Sequence, residues 1–284
     1  MSVANSLVKK TQKAGITTFL NSMNVVSNID QALGKDNRQR FITGVISAVN
    51  NNAALQECTN QSILSGALLG ESLKLSPSPQ LGHYYLVPFN DKVKGKVAQF
   101  QLGYKGYIQL AIRSGQYKKL NVLAIKEGEL EYFDPLNEEI KINLMVDKWD
   151  EREETETIGY YAMFELVNGF KKAIYWSKKQ MEAHAIKYSP GYKAKKGYTF
   201  WEKNFDGMAY KTMLRQLISK WGIMSIDLQN AFEHDMTFTD ESGTVNYVQA
   251  DDVIESPAAE EKEETTEEAD AESQSDVQSA LFGK

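Results

Sequence analysis

Apolar residues return every three or four positions in two stretches of the first third of the chain. In DNRQRFITGVISAVNNN, Phe41, Ile42, Val45, Ile46 and Val49 fall on one helical face, with Asp36 placed to cap it. Over residues 60–74, Ile63, Leu64, Ala67, Leu68 and Leu73 repeat that period, and Gly66 and Gly70 suit close packing against a neighbour. The run SPSP ends this helix, because proline cannot continue one. The period then drops to two. HYYLVPF and GKVAQFQL predict strands joined by a lysine-rich turn, with Pro88 placing the first at an edge or at its own end.

Beyond Gly103, YKGYIQLAIRSG predicts a short helix with Ile108, Ala111 and Ile112 inward and Gly115 at its end. YKKLNVLAI returns to strand, and extended chain continues through the acidic residues that follow. TIGYYAMFELV and FKKAIYWS predict a hairpin about Asn168-Gly169, a pair that fits the twist of antiparallel strands. Ser177 and Gln180 make a capping box for KKQMEAHAIKY. SPGYKAKKGYTF reads as a loop. FDGMAYKTMLRQLISKWG reads as a helix opened near Asn204 or Asp206 and stopped at Gly222, with a short helix over 227–233 after it.

These elements predict an α+β fold with a central, mostly antiparallel sheet and packed helices. Three regions follow: a flexible or partly helical arm over 1–33 suited to subunit contact, a core over 34–240, and an acidic tail over 241–284. The tail cannot bury enough apolar surface to order itself.

Charge sharpens the picture. The formal net charge of -6 hides a segregation: residues 251–284 carry 12 acids and 2 bases, leaving 26 acids and 30 bases before them. Residues 92–126 hold 8 bases and no acid, 129–156 hold 11 acids and 3 bases, and 171–220 hold 12 bases and 3 acids. Two basic blocks around an acidic one predict a cationic face; an unevenly solvated surface is the plainer reading. No apolar run approaches the roughly 18 residues of a membrane span. With no secretory signal at the start and one cysteine, Cys58, a soluble cytoplasmic protein with no membrane partner is expected.

Enzyme signatures are sparse. No glycine-rich loop ends in Gly-Lys-Ser/Thr, and no GxGxxG is present. His83, His184 and His234 stand far apart, so zinc is not expected. Asp134 with Glu139, Ile140 and Lys141 gives a faint metal-nuclease pattern of the kind an acid-rich block produces by chance. No catalytic residue, metal or cofactor is assigned.

Single-stranded nucleic acid suits the basic blocks better. Cations neutralise its phosphates and aromatic rings stack on its bases without reading them. Tyr104, Lys105, Arg113, Lys118 and Lys119 interleave both kinds in the first block; Lys178, Lys193, Lys195 and Lys196 lie among tyrosines in the second. Lys211 and Arg215 stand four apart on one helical face, as candidate contacts or as the solvated edge of a core helix. Gly103 and Gly106 are expected to let backbone amides approach phosphate.

QLGYKGYIQLAIRSGQY together with WEKNFDGMAYKTMLRQLISKWG resembles the RecT family of phage and prophage recombination proteins, over about Asp36 to His234, with the acidic tail outside. The resemblance implies ATP-independent annealing of complementary single strands, in some members with strand invasion. It implies a sheet backed by helices with DNA in a basic groove, and rings or helical filaments of identical subunits. Implied partners are single-stranded DNA and the annealed duplex, a phage exonuclease and a host single-strand binding protein. Gly103, Tyr104, Lys105, Gly106, Arg113, Asp206, Lys211 and Arg215 belong to its motif blocks, with Gly103, Gly106, Asp206 and Trp221 read as structural. The alternative is a polymerising scaffold that recruits a nuclease.

Overall fold

The computed structural model describes residues 15–235 except 79, 92, 93 and 198, together with the backbone of two short strands at 237–239 and 245–247. The chain is α+β. The described residues begin with five helices: α1 (Ile16–Leu20), α2 (Met23–Leu33), α3 (Lys35–Asn50), α4 (Ala53–Glu57) and α5 (Asn60–Ser72). Leu20 and Ile29 are fully buried, so residues 16–33 of the expected arm pack into the body; residues 1–14 and most of the tail lie outside the described residues.

Strands β1 (Tyr84–Asp91) and β2 (Gly95–Leu102) pair antiparallel from Tyr84↔Leu102 to Asp91↔Gly95. Helix α5 lies on this ribbon. A Cβ on Gly66 would collide with Leu86, and one on Gly70 with the Tyr84 ring. The small-residue face is therefore filled by the chain's own sheet. Pro88 sits in β1, an edge strand, where its missing N–H leaves no ladder bond unmade.

Helix α6 (Tyr104–Arg113) leads to β3 (Tyr117–Lys126), with Gly115 at φ 69 after the helix end. The acidic block then departs from simple extended chain. It forms a hairpin, β4 (Leu130–Asp134) and β5 (Glu139–Ile142), and a helix, α7 (Trp149–Glu154). Asp134 accepts from the amides of Leu136 at 2.8 Å and Asn137 at 3.3 Å, so the nuclease-like carboxylate closes a turn. Glu129 and Arg152 form a buried ion pair beneath the hairpin, with Arg152 Nε 2.6 Å from Glu129 Oε1. Burial pushes the Glu129 carboxyl up, but hydrogen bonds from Arg152, Lys126 and Met145 outweigh it and hold the group below its ordinary range.

Strands β6 (Thr157–Leu166) and β7 (Lys171–Ser177) form the expected hairpin, with Gly169 at φ 88. Ser177 and Gln180 complete the capping box of α8 (Lys178–Tyr188). The segment read as a loop instead carries α9 (Pro190–Lys193), and α10 (Phe200–Lys203), with its own Thr199–Glu202 capping box, begins at that segment's last residue. Then come α11 (Phe205–Trp221), α12 (Ile226–His234), β8 (Thr237–Thr239) and β9 (Val245–Tyr247).

Among the described residues the antiparallel strands are shared among three sheets, ordered β1-β2-β8-β9, β3-β6-β7 and β4-β5. Two hydrophobic clusters result among the described residues. One joins α1–α6 with β1, β2 and α12; the other joins β3, β6, α8 and α10. Helix α11 belongs to both, giving Leu214 and Ile218 to the first and Ala209, Met213 and Leu217 to the second. No described helix is long and apolar enough to cross a membrane.

Candidate nucleic-acid interface

The first turn of α6 sits hard against the chain that precedes β1. A Cβ on Gly103 would strike the Gly82 carbonyl oxygen, and one on Gly106 that of His83. The Gly103 amide donates to the His83 carbonyl at 2.9 Å. The close approach these glycines permit is thus to the protein's own backbone. The expectation that they open amides to phosphate is corrected by that contact.

The two motif blocks meet through rings and charges. Tyr104 packs edge-on to Tyr210 of α11 at 5.6 Å, and Tyr210 packs edge-on to Tyr160 of β6 at 6.1 Å. The Tyr160 hydroxyl donates to Asp206 at 2.6 Å, so Asp206 braces α11 against the second sheet. Asn204 caps the helix instead, accepting from the Gly207 amide at 2.9 Å. Trp221, at the far end of α11, has Lys172 4.4 Å and Lys220 5.7 Å from its ring centre.

Asp235 is the knot between α6 and α11. Its buried carboxylate accepts from the Leu102 amide at 2.9 Å and the Tyr107 hydroxyl at 3.0 Å. It also takes Lys211 Nζ at 3.1 Å and Arg215 Nη1 at 2.8 Å. Arg215 donates to the Tyr107 hydroxyl as well, at 2.9 Å. Burial, and then the Asp235 charge, push the Tyr107 hydroxyl far above its ordinary range. Lys211 retains only 12% and Arg215 38% side-chain exposure, so both turn their charge inward. Nothing in the spacing of the sequence marks Asp235 for this role, since a lone carboxylate after a helix carries no pattern.

The other predicted cations differ in their partners and in their exposure. Arg113 donates to the carbonyls of Leu73 at 2.6 Å and Lys74 at 3.4 Å, closing the end of α5. Lys178 pairs with Glu156 at 3.0 Å. Lys118 and Lys119, with Lys171, converge on Glu165. Lys105, Lys193, Lys195 and Lys196 are exposed, and the Lys105 ammonium lies 6.0 Å from the Tyr104 ring centre. Burial, then the nearby charges of Arg113 and Lys105, push the His83 imidazole below its ordinary value. Tyr85 of β1 reaches Phe200 of α10 at 6.3 Å, which brings the start of α10 beside β1.

The outer face of α6 separates two clefts. One, of about 480 Å³, is lined by Ile108, Ile112, Tyr117, Lys118, Lys119 and Asn121. The other, of about 300 Å³, is lined by Leu81, His83, Lys105, Ile108 and Gln109. Ile112, expected inward, is exposed and lines the first cleft. The helix has one buried face, formed by Gly106, Tyr107, Leu110 and Ala111, and Ile112 falls outside it.

A family model described as the RecT family matches residues 39–273. That span extends past the expected limit at His234 and into the acidic segment. A Bacillus subtilis (strain 168) protein named Uncharacterized protein YqaK is 38% identical over 262 residues, covering 90% of this chain and 86% of its own. Protein RecT of Escherichia coli (strain K12) is 28% identical over 247 residues, covering 82% of this chain and 88% of its own.

Proposed function

This chain belongs to the RecT family, and on that premise we propose that it binds single-stranded DNA and anneals complementary strands in homologous recombination without ATP. The observation that carries this reading is the junction of the two motif blocks: α6 and α11 are tied through Tyr104–Tyr210 and the Tyr107–Asp235–Arg215 cluster. That junction supports an outer surface bearing Lys105 and the two α6 clefts, with the Lys118–Lys119 strand alongside. Annealing breaks no covalent bond. It requires that phosphate repulsion between two strands be reduced while base edges stay free, and lysines beside rings meet that need.

In this reading Lys105, Lys118, Lys119, Lys193, Lys195 and Lys196 contact the DNA backbone, and Tyr104 lies close to the path. Lys211 and Arg215 act from behind it by holding α6 and α11 together. Identical subunits assemble on the strand as a ring or helical filament, in the bacterial cytoplasm, with an exonuclease supplying single strands and a host single-strand binding protein as a further partner. The test is a fluorescence annealing assay with complementary and mismatched oligonucleotides, with and without ATP. Faster pairing of the complementary pair alone, equal in both conditions, is expected. An unchanged pairing rate overturns the proposal and favours a scaffold that recruits a nuclease.

A further inference from the structure

Glu165 stands near the end of β6 with only 6% of its side chain exposed, yet three ammonium groups reach it: Lys118 at 2.7 Å, Lys171 at 3.5 Å and Lys119 at 3.6 Å. The sheet is shaped to gather them. Successive side chains of a regular strand point to opposite faces, so Lys118 and Lys119 would ordinarily diverge. Here the β3–β6 register shifts between Tyr117 and Lys119, so Lys118 is an extra residue and both lysines reach one partner. Re-aiming a side chain in this way is what a bulge does. From the other side, β7 sets Lys171 directly opposite Glu165.

The three lysine side chains remain 61–64% exposed. Each ammonium has three N–H donors, so bonding to Glu165 leaves donors for a second anion. Hydrogen bonding from Lys118, with the charges of Lys171 and Lys119, keeps the Glu165 carboxyl below its ordinary range despite its burial. The Glu165 carboxylate therefore keeps its negative charge among the three ammonium groups at neutral pH. It adjoins the larger α6 cleft, where Tyr117 and Asn121 stand beside Lys118 and Lys119.

We propose, resting on the DNA-binding reading above, that Lys118, Lys119 and Lys171 form one phosphate site for the DNA backbone, with Glu165 as an internal anion at its base. Glu165 gathers ammonium groups that would otherwise repel one another. It also competes with the phosphate for their donors and so limits how tightly the backbone is held. Such a limit suits a protein whose strands must shift until their bases match. Lys171 comes from a strand outside the first basic block, and Glu165 is the acid that a count of bases overlooks.

The test measures binding of a labelled oligothymidylate to the full chain by anisotropy over a range of salt. Lys171→Gln is expected to weaken binding several-fold and to reduce the slope of log K against log salt by about 0.7, the value for one lost contact to a single strand. Glu165→Gln is expected to tighten binding several-fold at low salt and steepen that slope. A folded Lys171→Gln chain with unchanged affinity and slope overturns the site. A Glu165→Gln chain that is folded but binds no tighter overturns the role of Glu165. If Glu165→Gln does not fold, the exposed Lys171→Gln substitution decides the site alone. Failure of the unsubstituted chain to bind the oligonucleotide would instead sink the DNA-binding reading itself.

Discussion

Asp235 shows how one carboxylate decides what its neighbours can do. Lys211 and Arg215 look like free cations in the sequence, but in the fold they offset a buried negative charge. Truncating one partner of such a group strands the others, at about 3–5 kcal/mol. Asp235→Asn should therefore lower unfolding stability by about that amount, measured in urea, because two cations lose their counter-charge. Arg215→Glu should also destabilise, by setting a second carboxylate beside Asp235. Lys105→Glu, by contrast, is the charge reversal expected to weaken DNA binding while sparing the fold, because Lys105 is exposed. Titration gives a second prediction. Burial pushes both His83 and His184 below 6.5, helped by Arg113 and Lys105 at the first and by Lys187 at the second. Below about pH 6.5 the unfolded chain takes up protons that the folded chain resists, so stability should fall as pH drops. Glu129 and Glu165 are held low and lose their contribution only in more acidic solution. Urea midpoints should thus decline as pH falls through about 6.5, and His184→Phe should flatten part of that decline.

Among the elements, α6 is the most tightly specified. Gly106 cannot accept a Cβ without moving the helix off the His83 carbonyl. Gly106→Ala should cost about 1–3 kcal/mol by overpacking, read as a lower melting temperature, and should perturb DNA binding through the displaced Lys105. Helix α11 was legible from its period and caps because it buries a broad apolar face, and that face is what gives periodicity its signal. Helix α7 was not, since its WDEREE carries almost no apolar pattern and is organised by the Arg152–Glu129 pair. Helix α10 does carry a sequence signal: Thr199 and Glu202 stand at capping-box spacing before a short turn of helix. The β3 bulge left no trace in the sequence, as nothing in YKKL says which lysine is the extra one.

For the whole molecule, the decisive arrangement is two cores sharing one helix. Leu214 and Leu217 on α11 each anchor a different core, so Leu→Ala at either should cost about 2–5 kcal/mol and lower a common unfolding transition. Charge acts at the same scale. The segment over 251–284 bears 12 acids and 2 bases, so it carries the same sign of charge as DNA. Removing it should tighten oligonucleotide binding at low salt, with the gain fading as screening shortens to about 3 Å near 1 M. A deletion that leaves affinity unchanged at every salt would separate the tail from DNA binding.

By itself the sequence determined the α+β class, most helix and strand positions, the segregation of charge and the family resemblance. Those features live in local periodicity, turn chemistry and composition, which a linear chain displays directly. Only the tertiary structure decided which cations face solvent and which are neutralised by Asp235 or Glu165. A charge partner is set by through-space distance, and the residues that meet at these carboxylates come from strands and helices far apart in the chain.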